Sequence, residues 1–376
     1  MPELLALDLP PGPSFVQALC SAWESGDAVL PLDPRLPGPA IERLIDALRP
    51  ARVVSSQGTE ALPGGGIPTE PGDALVVATS GTTGEPKGVV LTADAVQASA
   101  VATSRRLAVD PERDRWLACL PFAHIGGLSV LTRALATGTP YRIHERFDAR
   151  RVEDEARSGT TMVSLVATAL GRTDTSRYRV VLLGGAAPPL ALPENVVTTY
   201  GMTETGSGLV YDGVPLDGVE VRLGDGSLGA SGEILVRGPM VARAYRDGHD
   251  PRLAGGWLPT GDGGSIGSDG RLVVHGRMAE VIVTGAETVW PVAVEHVLSG
   301  HPGVAEVAVW KRPDPEWGDR VVAWIVPADP AAPPPIAALR ESVSAQVAPW
   351  AAPKELVVVA ELPRTASGKV RRTDLA

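Results

Sequence analysis

Residues Thr79 to Gly88 read TSGTTGEPKG, a run that cannot pack a core but can hold an anion. The hydroxyls of Thr79, Ser80, Thr82 and Thr83 and the backbone N–H groups exposed around Gly81 and Gly84 are donors for phosphate oxygens, and Lys87 adds one mobile positive charge. A Walker loop needs Gly directly before the lysine and Ser or Thr directly after it. Here Pro86 precedes Lys87 and Gly88 follows, so any grip on phosphate is of another kind, and a plain surface turn fits the same letters. The lysine distribution argues against the plain turn. Only Lys87, Lys311, Lys354 and Lys369 occur among 34 basic residues, and Lys87 and Lys369 both stand beside glycine in Ser/Thr-rich loops. A chain that uses arginine almost everywhere keeps lysine where a compact, strongly hydrated charge is needed.

Other stretches offer complementary chemistry. In YGMTE, Tyr200 beside Gly201 can stack a purine, and Thr203 and Glu204 after Met202 can present oxygens to Mg²⁺; a strand-to-turn junction with a surface glutamate fits equally. In PTGDGG (259–264), Asp262 can accept both hydroxyls of a ribose, or be a turn aspartate. GRMAEVIVTGAE (276–287) opens with Gly276, suited to a hinge, and Arg277, suited to ribose or phosphate. PRTASGKVRR (363–372) carries Lys369; its bland reading is a basic terminus without fixed structure. LLGGAAPP (182–189) ends a strand with a double glycine, through Gly185 and Ala186, which lets a flat ring approach the backbone. LPFAHIGGLS (120–129) puts His124 after a strand, a setting in which histidine is more often structural than catalytic.

These residues need elements to position them. Residues 14–58 read as helix, strand, helix, strand, from FVQALCSAW, AVLPL, IERLIDAL and ARVVSS. Residues 59–72 read as a linker. Ala74–Ala78 is a buried strand leading into the anion loop, and a helix follows from about Thr92 to Ala108, with Thr92 or Asp94 as its cap. WLACLPF, YRIH, TMVSLV, RVVLLGG and NVVTTYG read as strands, and GLSVLTRALATG as a helix closed by Gly138. The alternation predicts a large α/β domain. From Gly218 short strands joined by Gly-rich turns predict a small β piece. After Arg277 the pattern becomes a compact α+β unit, so the expected division is 1–276 and 277–376.

With 376 residues, 44% of them hydrophobic, the chain can build more than one core. A net charge of −10 provides no basic field for a nucleic acid backbone. Cys20 and Cys119 form neither a disulfide framework nor a metal-site spacing, which fits a reducing compartment. The first residues lack a secretory pattern and no run reaches the ~18 apolar residues of a bilayer span. A cytoplasmic protein is expected.

Taken in order, TSGTTGEPKG, YGMTET, PTGD, the GR segment and PRTASGK resemble the adenylate-forming superfamily of acyl-CoA synthetases, peptide-synthetase adenylation domains and luciferases, over about residues 73–372. The resemblance implies that a carboxylate attacks the α-phosphate of Mg·ATP, that the small C-terminal domain rotates, and that a thiol then attacks the acyl carbon. It implies that Thr79, Ser80, Gly81, Thr82, Thr83, Gly84 and Lys87 hold the β- and γ-phosphates. Thr203 would meet the α-phosphate and Glu204 the Mg²⁺; Gly185, Ala186, Tyr200, Gly201 and Met202 would frame adenine; Asp262 and Arg277 would hold ribose. Lys369 would bridge carboxylate and phosphate.

The shortened N-terminal part, LPFAHIGGLS, and YDGVPLDGV (211–219) after the Glu204 motif are similar to actinobacterial o-succinylbenzoate–CoA ligases of menaquinone synthesis. That likeness implies an acid site bordered by His124, with Ser207 and Gly208 as further contacts, and a homodimer as a common state. No downstream carrier domain or carrier-like Ser motif is visible, so free coenzyme A is the expected thiol. Two positions depart from the pattern: Ala279 at the hinge, and Ala286 where GGEN becomes GAET. The alternatives are another aryl or short-chain acyl-CoA ligase, an enzyme that stops at the adenylate, and a non-catalytic nucleotide-binding relative.

Overall fold

The computed structural model describes residues 1–80, 86–189, 191–224, 231–285, 287–364 and 370–375, the side chain of Ser80 excepted. They form two compact units, residues 1–221 with 236–258, and residues 222–235 with 259–376.

The first unit holds two seven-stranded sheets. In one, Leu4–Asp8 runs parallel to Ala28–Pro31 and to Arg52–Ser55, and Ala28–Pro31 runs parallel to Asp73–Ser80. Asp73–Ser80 folds back antiparallel into Pro86–Thr92, whose far edge takes the two-residue strand Ala244–Tyr245. In the other, Tyr141–Ile143, Trp116–Ala118, Met162–Leu165, Val180–Leu183 and Val196–Met202 are parallel, and Ser207–Tyr211 pairs antiparallel with the last. One core joins the sheets, bringing Leu75, Val77 and Leu91 together with Trp116, Leu128, Leu131, Met162 and Leu182. Such runs of Val and Leu are what strands covered on both faces require.

Most expected elements are present, including helix Ala93–Arg106, whose cap is Thr92, accepting from Ala95 N–H at 3.1 Å, and helix Ile125–Thr137, closed by left-handed Gly138. Two expectations need correction. The stretch 59–72 is not all linker: Gly58–Ala61 is an exposed edge strand paired with Arg52–Ser55. The residues after the anion loop do not pass straight to a helix, because Pro86–Thr92 is a strand. Its valines face a neighbour on each side, and pairing outweighs the disruptive Pro-Lys-Gly start.

The second unit holds the greater part of a four-stranded sheet ordered Glu220–Leu223, Gly232–Arg237, Leu258–Ile266, Leu272–Arg277. It also holds a sheet built on the long hairpin Val304–Asp314 and Gly318–Pro327. Helices Pro291–Ser299 and Ile336–Gln346 cover that sheet through Val294, Leu298, Leu339 and Val343. Asp262 and Arg277, on either side of the expected division at Gly276, lie in this one unit.

Candidate active site

The anion-loop sequence begins at the end of strand Asp73–Ser80 and ends in strand Pro86–Thr92, and these two strands pair antiparallel. Their last cross-strand pairs are Thr79 with Lys87 and Ser80 with Pro86. Gly81, Thr82, Thr83 and Gly84 lie outside the described residues, as does Lys369. Gly88 is needed for close approach, since a Cβ there would stand 2.7 Å from Val76 Cγ1 and 2.8 Å from Leu48 Cδ2. The ammonium of Lys87 sits 5.2 Å from the centre of the Tyr245 ring, within cation–π range.

Thr203–Thr205 form one turn of 3₁₀ helix closed by Gly206, which has φ 65°. Buried Thr205 fixes this turn: its hydroxyl accepts Met202 N–H at 2.9 Å and donates to Ser207 O at 2.7 Å. Ala242 N–H donates to Glu204 O at 2.7 Å, and Tyr245 O–H donates to Glu204 Oε1 at 2.9 Å. Burial, reinforced by the Glu204 charge, pushes the Tyr245 phenol well above its ordinary range.

Val180–Leu183 and Val196–Met202 are parallel neighbours, and ligands of open α/β sheets bind beyond such carboxyl ends. Gly185 (φ 86°) and exposed Ala186 follow the first strand. Half-buried Tyr200 and exposed Gly201 end the second, at a bulge. A Cβ on Gly201 would lie 2.2 Å from Ser207 O, so only glycine allows the neighbouring strand this close. A Cβ on Gly208, offered as a substrate contact, would lie 2.8 Å from Thr199 Cβ and 3.0 Å from Tyr211 Cε1.

His124 takes the N-cap position of helix Ile125–Thr137. Gly127 is required in the first turn, because a Cβ would meet Pro121 O at 2.4 Å. One turn and a half further on, Arg133 is 2% exposed. Its guanidinium lies 5.0 Å from the Trp116 ring centre, Nη2 donates to Ser207 Oγ at a long 3.5 Å, and Ser207 donates to Ser129 Oγ at 3.2 Å. Among the described residues Nε and Nη1 have no hydrogen-bond partner. The small cavity beside it is lined by Val96, Ile125, Ser129, Thr132 and Gly206. Burial pulls the guanidinium below its ordinary range.

In the second unit Asp262 and Arg277 are a cross-strand pair, with Arg277 Nε 3.1 Å from Asp262 Oδ1. Arg277 Nη1 also donates to Thr260 O at 3.1 Å. Left-handed Gly261 turns the strand, its N–H donating to Glu233 Oε1 at 2.9 Å. At the chain end Arg364 and Val370 form a β-bridge. Arg372 then donates to Glu280 Oε2 at 2.9 Å and to both oxygens of Glu295 at 2.9 and 2.8 Å. Ala279 lies in the 3₁₀ turn Met278–Glu280; Ala286 lies outside the described residues.

The chain thus brings Lys87 and Glu204 to one side chain, Tyr245, and Ser207 to Arg133. Tyr245, Arg133 and Arg372 were missed in the sequence. Only Arg133 carried a signal, a lone charge inside the apolar GLSVLTRALATG. Among the described residues no group of three or more His, Cys, Asp or Glu could hold a metal. A single carboxylate such as Glu204 suits Mg²⁺, which takes its other ligands from phosphate and water.

Residues 66–246 match the family model described as AMP-binding enzyme, and residues 293–369 match its C-terminal domain. A probable 2-succinylbenzoate–CoA ligase of Mycobacterium tuberculosis is 40% identical over 365 residues, covering 90% of this chain and 93% of that one. The o-succinylbenzoate CoA synthetase of Bacillus subtilis, solved with its acyl-adenylate intermediate, superposes with a TM-score of 0.86 at 28% identity, over 99% of this chain and 88% of that one. The same enzyme solved with ATP and magnesium gives 0.85 at 28% identity, over 99% and 89%. Both halves of the described architecture therefore have relatives across nearly their whole length, and the chain belongs to the AMP-binding enzyme family.

Proposed function

We propose that the protein is an AMP-forming acid–CoA ligase that converts o-succinylbenzoate to o-succinylbenzoyl-CoA for menaquinone biosynthesis, by way of the acyl-adenylate. The observation that carries the choice of acid is Arg133. A buried guanidinium with two unpartnered nitrogens is costly, and a planar carboxylate is the group its fork matches. o-Succinylbenzoate carries two carboxylates. One reacts; the other needs a buried cation, and Arg133 with Ser207 and Ser129 supplies it.

The first step makes a bond from the reacting carboxylate oxygen to the α-phosphorus of ATP and breaks the bond to pyrophosphate. AMP then leaves when the coenzyme A thiolate attacks the acyl carbon. The activation is needed because a free carboxylate would have to expel oxide. Charge neutralisation, more than covalent chemistry, lowers the first barrier. We assign Lys369 to the bridge between carboxylate and phosphate, Thr203 to the α-phosphate, and Thr79, Ser80, Gly81, Thr82, Thr83, Gly84 and Lys87 to the outer phosphates. Mg²⁺ held by Glu204 would supply further charge neutralisation. Gly185, Ala186, Tyr200, Gly201 and Met202 frame adenine, Asp262 and Arg277 take ribose, and His124 borders the acid. Residues 277–376 turn about Gly276 between the two steps; its φ of 137° favours glycine. We place the enzyme in the cytoplasm, where ATP and coenzyme A are available, as a homodimer. Among the described residues no helix is long and apolar enough to cross a membrane.

The deciding experiment is pyrophosphate release with Mg·ATP and coenzyme A on o-succinylbenzoate, benzoate, a medium-chain fatty acid and no acid, with the product identified by mass spectrometry. A thioester formed selectively with o-succinylbenzoate is the expected result. Equal use of benzoate would discard the role of Arg133 and the choice of acid. Lys369→Ala should lower pyrophosphate release by at least ~10²–10³; an unchanged rate would remove Lys369 from the chemistry.

A further inference from the structure

Lys87 and Glu204 carry opposite charges and reach the same side chain. Tyr245 stands between them, with the Lys87 ammonium 5.2 Å from its ring centre and its hydroxyl donating to Glu204 Oε1 at 2.9 Å. We infer that Tyr245 is a positioning residue that keeps Lys87 and Glu204 apart and aimed, Lys87 at phosphate and Glu204 at the divalent cation riding on that phosphate. The inference rests on the Mg·ATP reading above and adds to it a residue that none of the nucleotide motifs contains.

The chemistry of a phenol suits the task. An ammonium and a carboxylate left to themselves in a half-buried corner attract one another strongly, and a direct pair would leave neither charge for the ligand. A tyrosine binds each by a different part. Its electron-rich face attracts the ammonium and its O–H satisfies one carboxylate oxygen, leaving the other for a metal. It neutralises neither charge. A phenol ordinarily titrates near pH 10, so it remains a donor throughout the neutral range.

Tyr245 is itself held on every side. Its strand pairs with Val89 and Val90. Its N–H donates to His249 O at 2.8 Å and its carbonyl accepts Gly248 N–H at 2.9 Å, while the His249 ring lies parallel to its own, 6.1 Å centre to centre. The residue after it, Arg246, donates to Leu48 O at 3.1 Å and Pro68 O at 3.0 Å. Two residues before it, Arg243 makes two 2.9 Å bonds to the Asp73 carboxylate and one of 2.7 Å to Glu70. A side chain serving only to fill space would not need so rigid a mount.

The test is calorimetric titration of the full chain with ATP, in the presence and absence of Mg²⁺ and without any acid. In Tyr245→Phe the ring stays under Lys87 and the donor to Glu204 is lost. Metal-free ATP should bind within about twofold of the parent, while the gain in affinity on adding Mg²⁺ should fall about tenfold, the loss expected for one hydrogen bond to a charged group. Tyr245→Leu removes both contacts and should weaken metal-free ATP as well; if it fails to fold, Tyr245→Phe alone carries the test. An undiminished Mg²⁺ gain in Tyr245→Phe, or an equal loss with and without Mg²⁺, overturns the inference. A parent protein that binds no ATP overturns the nucleotide reading itself, before any variant is made.

Discussion

Arg133 and Arg372 are both withdrawn from solvent, and their surroundings are opposite. Arg372 meets two carboxylates, Glu280 and Glu295, through four hydrogen bonds, and Glu295 also accepts Val309 N–H at 2.8 Å. Arg133 is more deeply buried, and among the described residues it has one long bond to a serine and leaves Nε and Nη1 unpartnered. Folding has arranged partners for the first and withheld them from the second. A charge that the fold satisfies ties segments together, here the chain end to the turn after Arg277. A charge that the fold leaves unsatisfied lowers stability, and its natural complement is a ligand.

The comparison breaks most visibly at Arg133. Arg133→Met should lower kcat/KM for o-succinylbenzoate by about a hundredfold or more, the ~2–5 kcal/mol scale of removing one member of a buried charge pair. The same variant should melt no lower than the parent, because a methionine is less costly to bury there than an unpaired guanidinium. A lowered melting temperature together with unchanged kinetics would make Arg133 structural. Arg372→Met should do the reverse. It leaves Glu280 and Glu295 without their cation and should cost about 3 kcal/mol in chemical denaturation, at the lower end of the range for a broken buried pair. A loss below about 1 kcal/mol would erase the contrast.

Cys119 sharpens it, as a buried titratable group that stays neutral. Burial pushes its thiol from 9.0 up to about 12. The raised value means that the folded state keeps its proton while the unfolded chain loses it. Stability is therefore untouched below pH 9 and falls as pH rises towards 12, by up to about 1.4 kcal/mol per pH unit from this group. Denaturation series at pH 8, 9, 10 and 11 on parent and Cys119→Ala should show the variant with the shallower alkaline slope; parallel slopes would remove Cys119 as the cause. The smallest effect belongs to exposed pairs. Arg157 lies 2.6 Å from Asp154, their side chains 53% and 68% exposed, and Arg157→Ala should change stability by no more than about 0.5 kcal/mol.

The same contrast marks what could be read from the letters. The strands of the parallel sheets announce themselves as runs of Val and Leu, and Thr92 and Gly138 mark helix ends because capping is local chemistry. The segments we assign to phosphate, adenine, ribose and the adenylation lysine stand out as strings for the same reason: each is short, and its spacing suggests its chemistry. Tyr245 is not legible. It matters because a two-residue strand returns to the edge of Pro86–Thr92, and nothing within a few residues of it encodes that pairing. Gly58–Ala61 was hidden because an edge strand needs no apolar face. Arg372 looked like one of several charges in a basic tail until the fold supplied Glu280 and Glu295.

The return of Ala244–Tyr245 to an early sheet also bears on the order of folding. Its partners on Pro86–Thr92 lie more than 150 residues earlier in the chain, and contacts of such separation are slow to close. The Lys87–Tyr245–Glu204 cluster should therefore be among the last parts of the first unit to settle, after the hairpin and the parallel strands have formed. Pulse-labelling hydrogen exchange during refolding should protect the Val76 amide before those of Arg243 and Arg246, which donate to the same sheet; simultaneous protection would contradict this order. A chain still emerging from the ribosome would then have its sheets, but no finished grip on nucleotide, until its edge strand arrives.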